Sequence, residues 1–333
     1  MKKLSVIIPA YNAERFIEKQ LDELILQMQG CENDCEIIVV NDGSKDKTKE
    51  IAAKKALEHS FVTIISQNNK GECGARNTGI KYASGSYVFF LDADDFIEPG
   101  TVRFYLESID NASEDIDLFC YSYKSVDYDT NRTLAKYSLK RFDKKTLEKD
   151  FFLKNYYGKH LSCNICSLVI KRQVLLESGI YFTEGVRIGG DILFQLHLFS
   201  AVRKVFCRDR ICFIYRIRND SVMQGYKTYQ KLQFHTIELF QQFFGNTSCL
   251  LINHHYINFF ISVHYLYNLY LYLKSDTKDA TINEMFIRNK CLLVNPIFGV
   301  NNFRFVLMIA IFRVIPLSLL FRIYHKKESD KEL

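Results

Sequence analysis

The 333-residue sequence lacks the cysteine and histidine spacing of a structural zinc site. Its ten cysteines include two close pairs, Cys31 with Cys35 and Cys163 with Cys166, but no second pair with nearby histidines completes a ligand set. An organised disulfide framework, which secreted proteins often carry, is also missing. The cysteines therefore argue against zinc and predict free thiols in a reducing compartment, which favours the cytoplasm.

Strong charge of one sign and long hydrophobic runs are absent as well. The formal net charge of +6 does not indicate a nucleic-acid partner, although basic residues gathered on one face would favour an anionic membrane surface. The basic N-terminus and the apolar residues after it resemble the start of a signal peptide, but Pro9 and Asn12 interrupt the run. We therefore interpret Leu4 to Ile8 as a first strand.

Residues 1 to 100 alternate short apolar runs with longer amphipathic ones. The predicted elements are Leu4 to Ile8, Ala13 to Gln29, Glu36 to Val40, Lys45 to Glu58, Val62 to Ile65, Gly71 to Ala83 and Tyr87 to Leu91. This β-α alternation, with strands that are apolar throughout, predicts an α/β fold with a doubly wound, mostly parallel sheet. A composition that is 48% hydrophobic can supply the core of such a domain.

The pattern is weaker beyond Pro99. We predict strands at 117–121, 167–171, 202–206 and 211–216, helices at 143–154, 172–178 and 191–200, and a polar excursion at 122–136. From about Tyr226 the chain consists of long, aromatic-rich helical stretches. The sequence thus predicts a sheet domain over residues 1–225, divided near residue 100, and a helical extension over residues 226–333.

Polar residues follow the predicted strands at the edge where doubly wound sheets bind ligands. They are Tyr11 and Asn12, Asn41 and Asp42, Gln67 and Asn68, and the run from Asp92 to Asp95. The crowded carboxylates of Asp92, Asp94 and Asp95 would repel one another without a cation, and Mg²⁺ or Mn²⁺ suits such oxygen ligands. We expect Asp94 to bind the metal, Asp92 to contact a ribose or a metal-bound water, and Asp95 to support or share the metal. The alternative is a solvated acidic turn that caps the next helix.

Three residues near this edge suit a nucleotide. The Asp42 carboxylate can accept a hydrogen bond from a nucleobase, and Tyr11 can stack on that base, although an aromatic residue there is more often packed. Arg76 lies in the glycine-punctuated start of a helix that suits an anionic ligand, and it can also pair with Asp42 or Asp92.

Four segments together resemble glycosyltransferase family 2, the inverting enzymes with the GT-A fold. The segments are Ser5-Val6-Ile7-Ile8-Pro9-Ala10-Tyr11-Asn12, Val39-Val40-Asn41-Asp42-Gly43-Ser44, Gly74-Ala75-Arg76-Asn77-Thr78-Gly79 and Phe90-Leu91-Asp92-Ala93-Asp94-Asp95. The resemblance implies that residues 1–100 bind the nucleotide sugar and residues 101–225 the acceptor. It assigns nucleobase contacts to Tyr11 and Asp42 beside Pro9 and Asn12, a metal-diphosphate role to Asp92-Ala93-Asp94, and a place near the nucleotide to Arg76.

The resemblance also implies a catalytic base and a segment that closes over the diphosphate. Asp191, which follows Gly189 and Gly190, is the candidate base, although Gly190 stands where a glutamate is frequent in the family. Asp191 could instead cap the helix that follows. The later segment from Tyr215 to Ser221 resembles the aromatic-arginine segment of the family, in which Arg216 or Arg218 would contact the diphosphate.

The implied activity is inverting transfer of a sugar from a nucleotide diphosphate, by resemblance uridine diphosphate, with Mn²⁺ or Mg²⁺. The acceptor would be a hydroxyl of a glycan or a lipid-linked oligosaccharide in bacterial surface polysaccharide synthesis, as in capsule, exopolysaccharide or lipopolysaccharide assembly. A catalytically silent sugar-nucleotide-binding subunit is the alternative, suggested by Gly190. A nicotinamide dehydrogenase would need Gly-x-Gly-x-x-Gly after the first strand, and a nucleotidyltransferase a glycine- and arginine-rich loop there, and the sequence has neither.

The C-terminal apolar runs are too short to span a membrane. Residues 305–312 and 317–321 are separated by Arg313 and Pro316, so an uninterrupted apolar stretch of about 20 residues is missing. Because arginines and lysines surround these runs, we expect either an interfacial helix on the anionic cytoplasmic face of a bacterial inner membrane or an ordinary helix packed on the sheet domain.

Overall fold

The computed structural model describes residues 2–112, 115–218, 228–246, 254–294 and 300–329, and only the backbone of residues 324–329. The chain divides into two compact units. The sheet unit comprises Met1–Lys149 and Ser162–Arg218, and the helical unit comprises Asp150–Leu161 and Asn219–Leu333. The predicted boundary between residues 225 and 226 lies outside the described residues.

The first half of the sheet unit is a parallel sheet with helices between its strands. Its elements are β1 (Leu4–Ala10), α1 (Ile17–Gln27), β2 (Cys35–Asn41), α2 (Thr48–Glu58), β3 (Val62–Ser66), α3 (Gly71–Tyr82) and β4 (Tyr87–Phe90). The strands lie in the order β3-β2-β1-β4, and all three pairings are parallel. β1 and β4 are buried along their whole length, as apolar central strands require. The predicted alternation of strands and helices is therefore confirmed.

The same sheet continues with a mixed half. Its elements are β5 (Phe96–Ile97), α4 (Thr101–Asp110), β6 (Leu118–Asp127), β7 (Thr133–Tyr137), β8 (Lys145–Glu148), β9 (Leu168–Lys171), α6 (Arg172–Glu177), α7 (Gly190–Ala201) and β10 (Lys204–Ile217). α5 (Lys149–Tyr157) follows β8 in the chain and, from Asp150 onward, belongs to the helical unit. β10 runs parallel to β6, whereas β9 is antiparallel to both β4 and β6. This half completes an α/β sheet in the order β3-β2-β1-β4-β9-β6-β10-β5.

Three predictions in this half are wrong in detail. The polar excursion at 122–136 is instead the end of β6 and a hairpin partner, β7. The predicted helix at 143–154 begins as strand β8 and becomes α5, and the two strands predicted between residues 202 and 216 are one long β10 with two register shifts. Ser122 shows why the end of β6 was predicted as a polar excursion. Its buried hydroxyl donates a hydrogen bond to Asp209 Oδ1 at 2.7 Å, and this partner lies far away in the sequence.

The helical unit contains α5 together with the C-terminal helices. These are α8 (Lys231–Asn246), α9 (His254–Lys274), α10 (Ala280–Arg288), α11 (Phe303–Val314) and α12 (Leu317–Ser329). Its core is rich in aromatic side chains, among them Phe234, Tyr265, Tyr272 and Phe286. The unit differs from the predicted extension by including residues 150–161, because the rings of Tyr156 and Tyr157 pack within 6 Å of the Phe260 ring.

Within the described residues, no single helix is both long and apolar enough to cross a bilayer. α11 and Leu317–Ile323 reach the necessary length and apolarity only as a pair, and the two segments are bent by 90°.

Candidate functional site

The predicted ligand-binding residues follow β1, β2, β3 and β4 at one edge of the sheet. In the register of the sheet, Ala10 lies beside Asn41, and Asn41 lies beside Ser66. The next residues therefore leave the sheet together, and Asp42 N–H donates to Ala10 O at 2.9 Å. α3 packs closely on this edge at Gly79, because a Cβ there would lie 2.2 Å from Ile7 Cγ2. The structure thus brings the four strand ends to one site.

Asp42 lies buried at this edge with one carboxylate oxygen satisfied. Its Oδ1 accepts hydrogen bonds from Gln67 Nε2 at 2.7 Å and from Lys70 N–H at 2.8 Å. Its Oδ2 is buried and has no hydrogen-bond partner among the described residues. An unsatisfied buried carboxylate oxygen is unfavourable, so Oδ2 suits a donor group from a ligand such as a nucleobase N–H.

Tyr11 has an exposed ring, whereas its neighbour Asn12 is held by hydrogen bonds to the loop after β2. Tyr11 is 51% exposed, so it is not packed and can stack on a base. Asn12 has a φ of 50°, and it joins the loop after β2 through its N–H to Ser44 Oγ at 3.0 Å. Its Oδ1 also accepts from Lys45 N–H at 2.9 Å. Pro9 is buried within β1 beside Val40, so Pro9 and Asn12 shape the site through the backbone.

Arg76 is fully buried and connects three carboxylates. Its Nη2 lies 2.6 Å from Asp92 Oδ1, and its Nη1 lies 2.6 Å from Asp191 Oδ1. Nη2 also contacts Glu72, one turn earlier on α3. The guanidinium lies 5.2 Å from the Phe182 ring centroid. One side chain of α3 therefore joins the acidic run after β4 to the residue that was predicted as the base.

Asp191 lies in the first turn of α7 with its side chain 46% exposed. The N-cap of α7 is Gly189, with no side-chain capping hydrogen bond, so Asp191 does not cap the helix as the alternative proposed. Gly190 lies close to α3, because a Cβ there would lie 2.8 Å from Cys73 Sγ and one of the two would have to shift. A glutamate at position 190 would therefore meet Cys73 at the contact between α7 and α3.

The acidic run from Asp92 to Asp95 is held by a residue that sequence reasoning missed. Gln20, a buried glutamine of α1, donates from Nε2 to Asp92 O at 2.5 Å and to Asp95 O at 3.0 Å. The signal that could have found it is a polar residue on the apolar stripe of α1. The run does not cap the next helix, because the N-cap of α4 is Gly100.

Asp95 and Asp94 face different partners. The Asp95 carboxylate is buried and accepts Arg216 N–H at 2.9 Å, and burial together with Asp92 and Asp94 raises its pKa well above the usual range. Asp94 is 32% exposed, and its Oδ2 lies 2.7 Å from Arg218 Nη2. The structure therefore orients Asp95 toward β10 and leaves Asp94 partly open at the site.

The two predicted arginines have distinct positions near the end of β10. Arg216 Nη2 donates to Tyr128 O at 2.9 Å, and its guanidinium lies 4.1 Å from the Tyr128 ring centroid. Arg218, just past β10, lies 4.6 Å from the Phe16 ring centroid and pairs with Asp94. Arg218 thus reaches the acidic run with its side chain, whereas Arg216 reaches it through its backbone N–H, and the segment after Arg218, residues 219–221, lies outside the described residues.

The carboxylates at this edge are of the kind that binds a hard divalent cation together with a substrate, and two of them, Asp92 and Asp94, are paired with Arg76 and Arg218 in the structure. Within residues 2–218, apart from 113 and 114, no three His, Cys, Asp or Glu side chains converge on a metal position. Mg²⁺ and Mn²⁺ commonly use one or two carboxylates and complete their coordination with water and substrate phosphates. Asp92 and Asp94, with Ala93 buried between them, supply two such carboxylates.

Comparison with known families identifies the family of the chain. The profile described as glycosyl transferase family 2 matches residues 5–177, which is more than half of the chain. The chain belongs to glycosyltransferase family 2. The matched range contains Tyr11, Asp42, Arg76 and the run from Asp92 to Asp95, whereas Asp191 and Arg218 lie beyond it.

Relatives of this family-2 chain include proteins of Bacillus subtilis. The uncharacterized glycosyltransferase EpsJ is 31% identical over 230 residues, which are 66% of this chain and 63% of that protein. The minor teichoic acid biosynthesis protein GgaB is 28% identical over 72% of this chain but only 26% of its own length. The chain thus spans less than two thirds of each of these relatives.

Solved structures share the fold. The Staphylococcus aureus protein TarS, residues 1–349 in complex with UDP-GlcNAc, matches 87% of this chain and 80% of its own with a TM-score of 0.66 at 19% identity. The mannosyltransferase PcManGT of Pyrobaculum calidifontis, in complex with GDP-Man and Mn²⁺, matches 94% and 87% with a TM-score of 0.53 at 17% identity. These similarities confirm the predicted α/β GT-A architecture with a helical C-terminal region.

Proposed function

We propose that this family-2 glycosyltransferase moves a sugar from a nucleotide diphosphate to an acceptor hydroxyl with inversion at the anomeric carbon. The observation that carries the proposal is the Arg76 bridge between Asp92 and Asp191. Arg76 Nη2 lies 2.6 Å from Asp92 Oδ1, and Arg76 Nη1 lies 2.6 Å from Asp191 Oδ1. This bridge holds a candidate base at a fixed place beside the acidic run. A donor bound at the run would therefore present its anomeric carbon near that base.

The nucleoside end of the donor would occupy the strand ends at Tyr11 and Asp42. The exposed Tyr11 ring offers a stacking surface, and the unpartnered Asp42 Oδ2 offers a hydrogen-bond acceptor. Uridine has an N–H donor on its ring, which suits that acceptor. TarS, which shares the fold, was solved with UDP-GlcNAc, and this supports a uridine diphosphate sugar as the donor class.

Asp191 would act as the general base. The acceptor oxygen forms a bond to the anomeric carbon, the bond from that carbon to the diphosphate oxygen breaks, and its electron pair leaves with the diphosphate. The acceptor proton passes to the Asp191 carboxylate. The ion pair with Arg76 orients the carboxylate, and 46% exposure leaves the side chain accessible to an acceptor.

Asp94, Asp92 and Arg218 would serve the leaving diphosphate. Asp94 and Asp92 would hold Mn²⁺ or Mg²⁺, which when bound supplies positive charge to the departing diphosphate. Arg218 pairs with Asp94 at 2.7 Å, and a diphosphate is an alternative partner for its guanidinium. Asp95, which anchors the run to β10 through Arg216 N–H, would support the metal site from behind.

The chemistry of the site and the names of the relatives support a proposal for the acceptor and the pathway. We propose a hydroxyl of a glycan or a lipid-linked saccharide in bacterial surface polysaccharide synthesis, since GgaB is named for teichoic acid biosynthesis. The cysteines among the described residues are free thiols, which supports a reducing, cytoplasmic location. The second candidate function is a silent sugar-nucleotide-binding subunit, and the close approach of Gly190 to Cys73 offers a packing reason for the glycine that does not invoke such a role.

The test of donor binding is a thermal-shift screen of nucleotide sugars with Mn²⁺. We expect a uridine diphosphate sugar to raise the melting temperature of the protein, and Asp94→Asn to abolish that rise. Asp110→Asn is the matched control, because Asp110 is a half-exposed aspartate paired with Lys3 on the surface. Equal shifts for Asp94→Asn and the control would contradict the donor site. Metal-dependent hydrolysis of the stabilising nucleotide sugar would exclude the silent subunit.

A further inference from the structure

Helix α11 presents an apolar face to solvent. Five large apolar side chains make up this α11 face: Phe303, Leu307, Met308, Ile311 and Val314, which are 75%, 46%, 43%, 45% and 81% exposed. The buried residue of the helix is Ile309. At 3.6 residues per turn the five exposed side chains fall on the side of the helix away from Ile309. An exposed patch of this kind on a packed protein marks an interaction surface.

Helix α12 repeats this arrangement on a smaller scale. Leu317 and Phe321 are buried, and the Phe321 ring lies 5.7 Å from the Tyr272 ring of the helical core. Leu319 and Ile323 are about half exposed. Each of the two helices therefore packs on the core of the helical unit through a few buried side chains, and its other apolar side chains are exposed to solvent.

The dimensions of α11 suit the surface of a bilayer. Its 12 residues extend for about 18 Å, whereas the hydrocarbon core of a bilayer is about 30 Å thick. The bend of 90° between α11 and the start of α12 prevents the pair from forming one straight span. A short helix with an exposed apolar face instead lies in the interface, with that face among the acyl chains.

The charge around the α11 face selects a particular surface. From Asn301 to Ser329, the last residue of α12, the sequence contains one acidic residue, Glu328, and five arginines and lysines: Arg304, Arg313, Arg322, Lys326 and Lys327. The three arginines are exposed. A further basic residue, Lys290, lies at the C-terminal end of α11, where its ammonium donates a hydrogen bond to Ile315 O at 2.7 Å. At 3.6 residues per turn Arg304 falls on the α11 face itself, between Met308 and Ile311, and an exposed cation among apolar side chains complements an anionic phospholipid surface.

We propose that the α11 face binds the surface of an anionic phospholipid bilayer. The apolar side chains enter the boundary between headgroups and acyl chains, and Arg304, Arg313 and Arg322 contact lipid phosphates. The contact is reversible and sensitive to salt, because exposed charges are screened. It does not depend on the transfer reaction, since it needs neither donor nor acceptor. A protein tethered in this way would meet lipid-linked saccharides at the membrane.

The test is flotation of the full chain with vesicles in the absence of donor and metal. Vesicles of phosphatidylcholine alone are compared with vesicles that contain about one third phosphatidylglycerol. We expect binding to the anionic vesicles, reversal by high salt, and release by alkaline carbonate. Phe303→Ser combined with Val314→Ser should weaken binding by at least about tenfold. Arg304→Glu combined with Arg313→Glu should weaken binding to anionic vesicles alone by about tenfold.

Leu57→Ser is the matched control, because Leu57 is a 90% exposed leucine on α2, and it should leave flotation unchanged. Circular dichroism of each variant confirms that it is folded. Equal flotation of the wild type and both double variants would overturn the proposal. So would wild-type protein that resists carbonate extraction, which indicates insertion, or a dimer that the same substitutions dissociate while no vesicle is bound, which assigns the face to a second copy.

Discussion

Replacing Arg76 by methionine removes the positive charge that pairs with both the acidic run and the candidate base. The side chain of Arg76 is fully buried, and its three carboxylate partners, Asp92, Asp191 and Glu72, are 30%, 46% and 55% exposed. Methionine keeps most of the apolar volume, so the change tests charge rather than cavity formation. The lost interactions also include the contact with the Phe182 ring at 5.2 Å.

The expected loss follows from this geometry. Removing one partner of a buried ion pair typically destabilises a protein by about 3–5 kcal/mol. Because water can still hydrate the partly exposed carboxylates, we expect a loss near the lower end, about 3 kcal/mol. Lys3→Met is the control, because the pair of Lys3 with Asp110 is on the surface, and it should cost about 1 kcal/mol or less.

Urea unfolding of the sheet unit measures this loss. The chain has no tryptophan, so unfolding is followed by circular dichroism and by hydrogen exchange of peptides from α3. Mn²⁺ should stabilise Arg76→Met more than it stabilises the control, because a bound cation replaces the missing positive charge among the carboxylates. A loss no greater than that of Lys3→Met would refute the view that Arg76 organises the site.

Two further predictions concern packing and pH. Gly190→Ala should destabilise the sheet unit by about 1–3 kcal/mol, because its Cβ would approach Cys73 Sγ to 2.8 Å, and adding Cys73→Ala should recover most of that loss in a double-mutant cycle followed by urea unfolding. In the helical unit, burial lowers the pKa of Lys159 to about 7 beside His264, whose Nε2 lies 3.0 Å away. Below the pKa of unfolded lysine the unfolded chain binds this proton more strongly than the folded chain, so Lys159→Met should stabilise the protein near neutral pH, and its advantage should shrink by at most about 1.4 kcal/mol per pH unit as pH rises toward 10. If thermal unfolding shows that Lys159→Met is more stable than the wild type by the same amount from neutral pH to about pH 10, the lowered pKa of Lys159 is contradicted.

The parallel half of the sheet was predictable because its signals are local. β1, β2 and β4 are nearly continuous apolar runs, and α1 has a clear amphipathic pattern, so neither signal depends on distant residues. The strand ends followed from the same reasoning, since parallel strands place Tyr11, Asp42 and Asp92 at one edge. The architecture of residues 1 to 100 is therefore contained in the order of its short segments.

The remaining features depend on contacts between residues that are far apart in sequence. Ser122 is buried in β6 because Asp209, 87 positions later, accepts its hydrogen bond. Gln20 appears as an ordinary polar residue of α1 until the loop of Asp92 is brought within 2.5 Å of its amide. Arg76 and Asp191 are 115 positions apart, and their pairing depends on where α7 packs against α3. No local pattern predicts these partners, because each depends on the assembled sheet unit.

Comparison of Asp191→Asn with the wild type, under conditions of single turnover, tests the proposed mechanism most directly. Asparagine keeps the shape of the side chain and an oxygen for Arg76, but it does not accept the acceptor proton. With the donor identified by the thermal-shift screen, the account predicts a nearly unchanged donor affinity and a transfer rate reduced by at least about a hundredfold. Near-normal transfer by purified Asp191→Asn would contradict the account.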